Sequence, residues 1–104
     1  MTHALHVLLA LGTGTRHGYA IMREAREASG GRIEILPGTL YATIKSLLAD
    51  GLIEEVPPPR TAHSADARRR YYRVTRAGRA RALAETERLA ELVRMGRVFA
   101  RDAR

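Results

Sequence analysis

Residues Pro37 to Gly51 constrain this chain more than any other stretch. Leu40, Ile44, Leu47 and Leu48 fall at i, i+4, i+7 and i+8, one apolar stripe with the period of an α-helix. Pro37 sits where a first helical turn tolerates a missing N–H, and Asp50-Gly51 closes the segment. The opposite face carries Gly38, Tyr41, Ala42 and Lys45, flanked by Thr39, Ser46 and Ala49, with no acid before Asp50. Such a helix needs other elements to bury its stripe, and it leaves a small, hydroxyl-bearing face free for close approach.

The neighbouring segments supply those elements. His3 to Leu11 reads as a first helix, apolar almost all round through Leu5, Val7, Leu8, Leu9 and Leu11, and so buried on several sides. Gly12-Thr13-Gly14-Thr15 breaks it. A second helix runs from His17 to about Ser29, with Tyr19, Ile21, Met22, Ala25 and Ala28 set against Arg23, Glu24, Arg26 and Glu27; Gly30-Gly31 stops it. Arg32-Ile33-Glu34-Ile35 alternates polar and apolar, which predicts one short strand. Leu52 to Val56 reads as a further strand and Arg70 to Thr75 as its antiparallel partner, with Tyr72 and Val74 on one face. Pro57-Pro58-Pro59 marks where that pairing ends, because proline cannot donate to a ladder. A polar loop then leads to Arg68-Arg69-Arg70. Thr75 is a candidate N-cap for one long helix from Arg76 to about Ala100, roughly 37 Å at 1.5 Å per residue.

Length allows one modest core and not two, at 104 residues. No apolar run approaches the roughly 20 residues that span a bilayer, and Met1 to Leu11 carries no basic n-region, so the expectation is a cytoplasmic protein with no membrane role. Without cysteine there is no disulfide framework, thiolate metal site or thiol nucleophile. The charge is lopsided. Residues 1–59 hold five basic groups and six acids, net −1, whereas residues 60–104 hold thirteen arginines and five acids, net +8; together they make the overall +7. A GC-rich genome explains choosing arginine over lysine, but not the net charge. An excess gathered in one half is the electrostatic footprint of a nucleic-acid binder.

The order helix, helix, short strand, helix, basic-tipped hairpin is that of a winged helix-turn-helix: mostly α, with a small β-hairpin wing. Residues 1–75 would form the DNA-binding domain and 76–104 a long C-terminal dimerisation helix. The residues also carry a family resemblance. Leu8-Leu9-Ala10-Leu11, His17-Gly18-Tyr19-Ala20-Ile21, Pro37-Gly38-Thr39-Leu40-Tyr41, Leu47-Leu48-Ala49-Asp50-Gly51-Leu52-Ile53 and Arg70-Tyr71-Tyr72-Arg73-Val74-Thr75-Arg76-Ala77-Gly78 resemble successive motifs of PadR-like regulators, in family order. They cover residues 4 to about 83, and the single last helix resembles the shorter subfamily. Three departures stand out. Leu36 occupies the position before Pro37 where a capping serine is frequent, the wing is long and proline-rich, and Arg76-Ala77 replace acidic residues.

Direct readout of a major groove requires short or small side chains that reach base edges. Thr39 and Thr43 can hydrogen-bond bases or phosphate, Ala42 can meet a thymine methyl, and Tyr41 and Lys45, one turn apart, can reach phosphate oxygens; Ser46 extends the same face. The resemblance implies DNA contact at Thr39, Tyr41 and Lys45. For Tyr41 the alternative is a core or inter-helix packing role. Arg68 and Arg69 would clamp phosphates or enter a narrow minor groove, or else form a solvated charge run; Arg70 could point inward, since it alternates with Tyr72. Catalytic and metal residues are not expected. His63, Ser64 and Asp66 share a loop that offers no rigid scaffold for a triad, and His3 and His6 have no third ligand near in sequence. No cofactor fingerprint is present either.

Along the last helix Leu89, Leu92, Val93, Gly96 and Phe99 form a stripe with nothing in the same chain left to cover it, which marks a partner interface. Arg94, Arg97, Arg101 and Arg104 flank it as a solvated face, with Glu91–Arg94 a supporting pair. Members of the resembled family dimerise through this helix and the N-terminal one, which adds Leu5 and Leu8 to the expected homodimer contacts. The leading expectation is a dimeric repressor on double-stranded DNA at an inverted-repeat operator, released by a small-molecule effector. The resemblance implies half-sites of the ATGT/ACAT kind and an effector pocket between the N-terminal and last helices of the dimer. The alternatives are a winged-helix protein-interaction module and a non-specific architectural DNA binder.

Overall fold

The computed structural model describes residues 2–102; Arg104, expected on the solvated face of the last helix, lies outside them. The elements follow as α1 (Thr2–Leu11), β1 (Arg16–His17), α2 (Gly18–Ala28), α3 (Pro37–Ala49), β2 (Ile53–Val56), β3 (Tyr71–Val74) and α4 (Arg76–Asp102), with a 3-10 helix, Ser64–Arg68, between β2 and β3. This is the winged helix-turn-helix expected from the sequence. Among the described residues no helix is long and apolar enough to cross a membrane.

The core forms where the apolar stripes of three helices meet the sheet. Val7, Leu8 and Leu11 of α1, Ile21 and Ala25 of α2, and Leu40, Ile44 and Leu47 of α3 pack with Ile53, Tyr72 and Val74 in one cluster. Leu48, expected in the α3 stripe, is exposed instead. At about 100° per residue it lies at the edge of the arc centred on Leu40, Ile44 and Leu47. No side chain caps α3 at Leu36, so Leu40 N–H closes the first turn on the Leu36 carbonyl at 2.8 Å, with Pro37 in the first turn. The helix ends at Gly51, whose φ of +70° lets Leu52 N–H reach back to the Leu47 carbonyl at 3.0 Å. That turn delivers Leu52 to the core and starts β2.

β3 is the central strand, in the order β1-β3-β2. β2 pairs with it from Ile53↔Val74 to Val56↔Tyr71, and the exposed pair Glu54↔Arg73 is bridged by a guanidinium–carboxylate hydrogen bond of 3.0 Å. The alternation at Arg32–Ile35 does not form a strand. Ile35 is buried and Ile33 half-buried, so the apolar residues do turn inward, but both edges of β3 are already taken. The third strand is β1, which pairs Arg16↔Tyr72 and His17↔Tyr71. Arg16 is held there by its Nε donating to the Ala10 carbonyl at 2.8 Å and its Nη2 to Thr13 Oγ1 at 3.0 Å. The side chain thus ties the end of α1 to the sheet.

α4 starts as the sequence suggests. Thr75 Oγ1 accepts from Gly78 N–H at 3.1 Å and donates to the Gly51 carbonyl at 2.7 Å, while Thr75 N–H donates to the Leu52 carbonyl at 3.0 Å. Gly78 is buried against that carbonyl, which no larger residue could approach so closely. Ala82, Glu85 and Thr86 are half-buried, and every residue from Glu87 to Arg101 is exposed. The second half of α4 therefore projects from the body, in a molecule 55 Å long and 27 Å by 25 Å across.

Candidate nucleic-acid interface

α3 turns the expected residues outward. Thr39, Tyr41, Ala42, Lys45 and Ser46 are exposed and Thr43 is half-buried. Tyr41 is 58% exposed, which sets aside a core role for it. Thr43 Oγ1 donates to the Thr39 carbonyl at 2.8 Å, so its hydroxyl proton is used within the helix and its lone pairs remain free to accept. The six residues do not form one patch. Thr39, Ala42, Thr43 and Ser46 line a cleft of about 730 Å³ whose other wall holds His3 and Ala4 of α1 and Arg81 of α4. Tyr41 lies on the other flank, toward α2 and the wing, in a notch of about 150 Å³ shared with His17, Gly18, Tyr19, Arg69, Arg70 and Tyr72. Lys45 is the only charged residue of α3.

The notch is where α2, α3 and the wing converge. His17 caps α2: its Nδ1 accepts from Ala20 N–H at 3.2 Å, which requires the neutral ring. The same imidazole meets Tyr71 edge-on at 5.3 Å between centroids. Burial holds the His17 pKa below its ordinary value, the nearby Arg69 and Arg23 guanidiniums add to the effect, and Asp66 opposes it. Close packing builds the other wall, since a Cβ at Gly18 would lie 3.3 Å from Leu40 Cδ2 and 3.6 Å from Tyr41 Cε1.

Tyr19 falls among the apolar positions of α2, but it is 53% exposed. It stands in the first turn of α2, where the ring leans over the wing base instead of into the helix bundle. The Arg23 guanidinium lies 5.7 Å from its centroid and that of Arg69 5.8 Å. Sequence reasoning missed Tyr19 as a site residue because a tyrosine at apolar helical spacing reads as packing. Only the position of Arg69, fifty residues on, gives it another role.

The wing is not an open loop. Its 3-10 helix lets Arg69 Nε pair with Asp66 Oδ1 at 3.1 Å, and both Arg68 and Arg69 are exposed. Arg70, for which an inward orientation was considered, is exposed as well. The alternation placed only Tyr72 and Val74 inward, yet Tyr71 is also buried, beneath His17.

The α4 stripe is uncovered. Leu89, Leu92, Val93 and Phe99 are all exposed, Phe99 by 76%, and a Cβ at Gly96 would meet nothing within 4 Å. Leu5 and Leu8, expected among the dimer contacts, are 7% and 1% exposed and covered by their own chain; the exposed leucine of α1 is Leu9, at 46%. Leu9 and Leu83 border a cleft of about 210 Å³ between α1 and α4.

A sequence profile of the transcriptional regulator PadR-like family matches residues 7–84. No curated protein matches the chain in sequence. Among solved structures it is similar to a transcriptional regulator from Clostridium thermocellum, at 25% identity over 92% of this chain and 87% of that one, with a TM-score of 0.75. It also resembles a PadR family transcription regulator from Clostridium difficile R20291, at 23% identity over 93% and 96%, TM-score 0.74. A third likeness is to Bacillus subtilis PadR, solved in complex with operator DNA, at 19% identity over 83% and 47%, TM-score 0.68. The last two likenesses are of fold.

Proposed function

The chain belongs to the PadR-like family of transcriptional regulators, and on that premise we propose that it is a dimeric repressor of an inverted-repeat operator. The observation that carries this reading is the outer face of α3: exposed, small, hydroxyl-bearing, acid-free, and set beside an arginine-bearing wing. Thr39, Ala42, Thr43 and Ser46 meet base edges, Tyr41 and Lys45 reach phosphate from the flank they share, and Arg68 of the wing follows the flanking backbone. Residues 1–75 act as the DNA-binding unit and residues 76–104 as the dimerisation element. Leu89, Leu92, Val93, Gly96 and Phe99 meet their copies in the partner, and an effector enters between α1 and α4.

Two-fold symmetry presents two α3 faces about one turn of duplex apart, or a multiple of it. Selection from a random duplex pool should return an inverted repeat, with half-sites of the ATGT/ACAT kind. Moving the half-sites apart by about half a turn should carry one to the far side of the duplex, and affinity should fall by about 10³-fold or more, to the non-specific level. Recovery of a single asymmetric site, or indifference to the insertion, sinks the dimeric-operator reading. Equal affinity for scrambled duplexes assigns an architectural role instead, and no DNA binding assigns a protein-interaction module.

A further inference from the structure

We propose that Tyr19 is a positioning residue for the wing: its ring seats the Arg69 guanidinium and thereby fixes where the wing meets DNA, a role that rests on the DNA-binding reading above. The strand ladder does not extend into the wing. β2 and β3 stop pairing at Val56↔Tyr71, and β1 leaves β3 at His17↔Tyr71, so the ladder ends at the wing base on both sides. Among the described residues, the hydrogen bonds and ion pair within 57–70 stay inside the wing: Ala62 to Pro59, Asp66 to His63, and Arg69 to Asp66. One contact that crosses from wing to body is Arg69 over Tyr19, 5.8 Å from the ring centroid, and the same arginine lines a notch with His17 and Tyr41.

Arg69 is therefore held from two directions, by the ring on α2 and by the Asp66 carboxylate at 3.1 Å on the wing's own 3-10 helix. A guanidinium attracted by a ring quadrupole is still free to keep its carboxylate partner, so the two contacts reinforce one another. Arg68 and Arg70 are exposed like Arg69 itself, and each is adjacent in sequence to the anchored residue. Their placement relative to Tyr41, in the same notch, follows from the anchor. Tyr19 thus acts on DNA through the wing, by its ring and not by its hydroxyl.

Two readouts test this on the intact chain. The first needs no DNA: the initial rate of tryptic cleavage after Arg68 and Arg70, followed by mass spectrometry, with cleavage after Arg97 as the reference. Tyr19→Leu should speed the wing cleavages relative to the reference, whereas Tyr19→Phe, which keeps the ring, should match the wild type. The second is affinity for a fluorescein-labelled mixed-sequence duplex. Tyr19→Leu and Arg69→Gln should each weaken it by about two- to fivefold, the double variant no further, and Tyr19→Phe not at all. If Tyr19→Phe is as weak as Tyr19→Leu, the hydroxyl acts and the proposal falls. It falls equally if Tyr19→Leu leaves wing cleavage unchanged, or frees the wing without altering affinity. A wild type that binds no duplex overturns the functional reading, and the cleavage rates still decide whether the ring holds the wing.

Discussion

Replacing Gly78 by alanine should unfold this protein far more readily than any scale of helix propensity suggests. A Cβ at Gly78 would lie 2.0 Å from the Leu52 carbonyl oxygen, 2.7 Å from Val74 Cγ2 and 3.0 Å from the Leu52 carbonyl carbon. Two of those atoms are main chain, so no rotamer change relieves the overlap and α4 itself must retreat. The retreat strains three hydrogen bonds that stitch the helix start to the α3–β2 turn: Thr75 N–H to Leu52, Thr75 Oγ1 to Gly51, and Gly78 N–H to Thr75 Oγ1. Overpacking costs about 1–3 kcal/mol, and weakening two or three such bonds about 1 kcal/mol each. Alanine in a helix returns about 1 kcal/mol, leaving a net loss of about 3 kcal/mol, or roughly 15 °C in Tm for a chain of this size. Gly38→Ala is the control: it too is helical, but a Cβ there meets nothing within 4 Å, so it should be neutral or up to about 1 kcal/mol stabilising. Urea unfolding followed by far-ultraviolet circular dichroism at fixed protein concentration gives both numbers. A Gly78→Ala protein as stable as the wild type would refute the close approach on which the placement of α4 rests.

Three further expectations concern pH, specificity and assembly. Because the fold lowers the His17 pKa, the unfolded chain holds the extra proton as pH falls through about 6.5; stability present above that value is lost below it, as the α2 cap is protonated. Tm should therefore drop more between about pH 7.5 and 5.5 in the wild type than in His17→Asn, which caps without titrating; equal drops exclude His17 as the source. Thr39→Ala should relax base preference at one half-site position by about 1–3 kcal/mol of discrimination, read by competition between single-base operator variants. Replacing Leu92 and Phe99 together by Glu should give a monomer or an aggregate in equilibrium sedimentation, and a wild type that is already a clean monomer at micromolar concentration removes the premise.

What could be read from the sequence was whatever depended on period. Leu40, Ile44 and Leu47 fix α3, and the same arithmetic exposes Thr39, Tyr41, Ala42, Lys45 and Ser46; the proline triplet and the tyrosines likewise bracket the wing. What could not be read depended on which partner reached a surface first. Arg32–Ile35 has a strand's alternation, but Arg16–His17, too short to show any period, holds the free edge of β3. Leu5 and Leu8 are as apolar as a dimer contact, yet α1 spends them on its own core and shows Leu9 outside. Tyr19 has the spacing of a packing residue and the exposure of a contact, and the guanidinium beside its ring comes from fifty residues further along the chain.

The projecting half of α4 has a thermodynamic consequence. From Glu87 to Arg101 no residue is buried, and a helical peptide of about 12–15 residues on its own is marginal in water. Its internal support is slight: the Arg88–Glu85 and Arg94–Glu91 pairs are of the i,i+3 kind that contribute a few tenths of a kcal/mol. In the proposed dimer, helical order there would be coupled to association, because covering the Leu89–Phe99 stripe would stabilise those turns. On dilution, amide exchange in this segment should accelerate while the core amides of α3 stay protected. Two recognition faces joined through a melting connector lose their fixed separation, so operator occupancy would fall more steeply than in proportion to protein concentration. The copy number of the chain would itself become a regulatory signal.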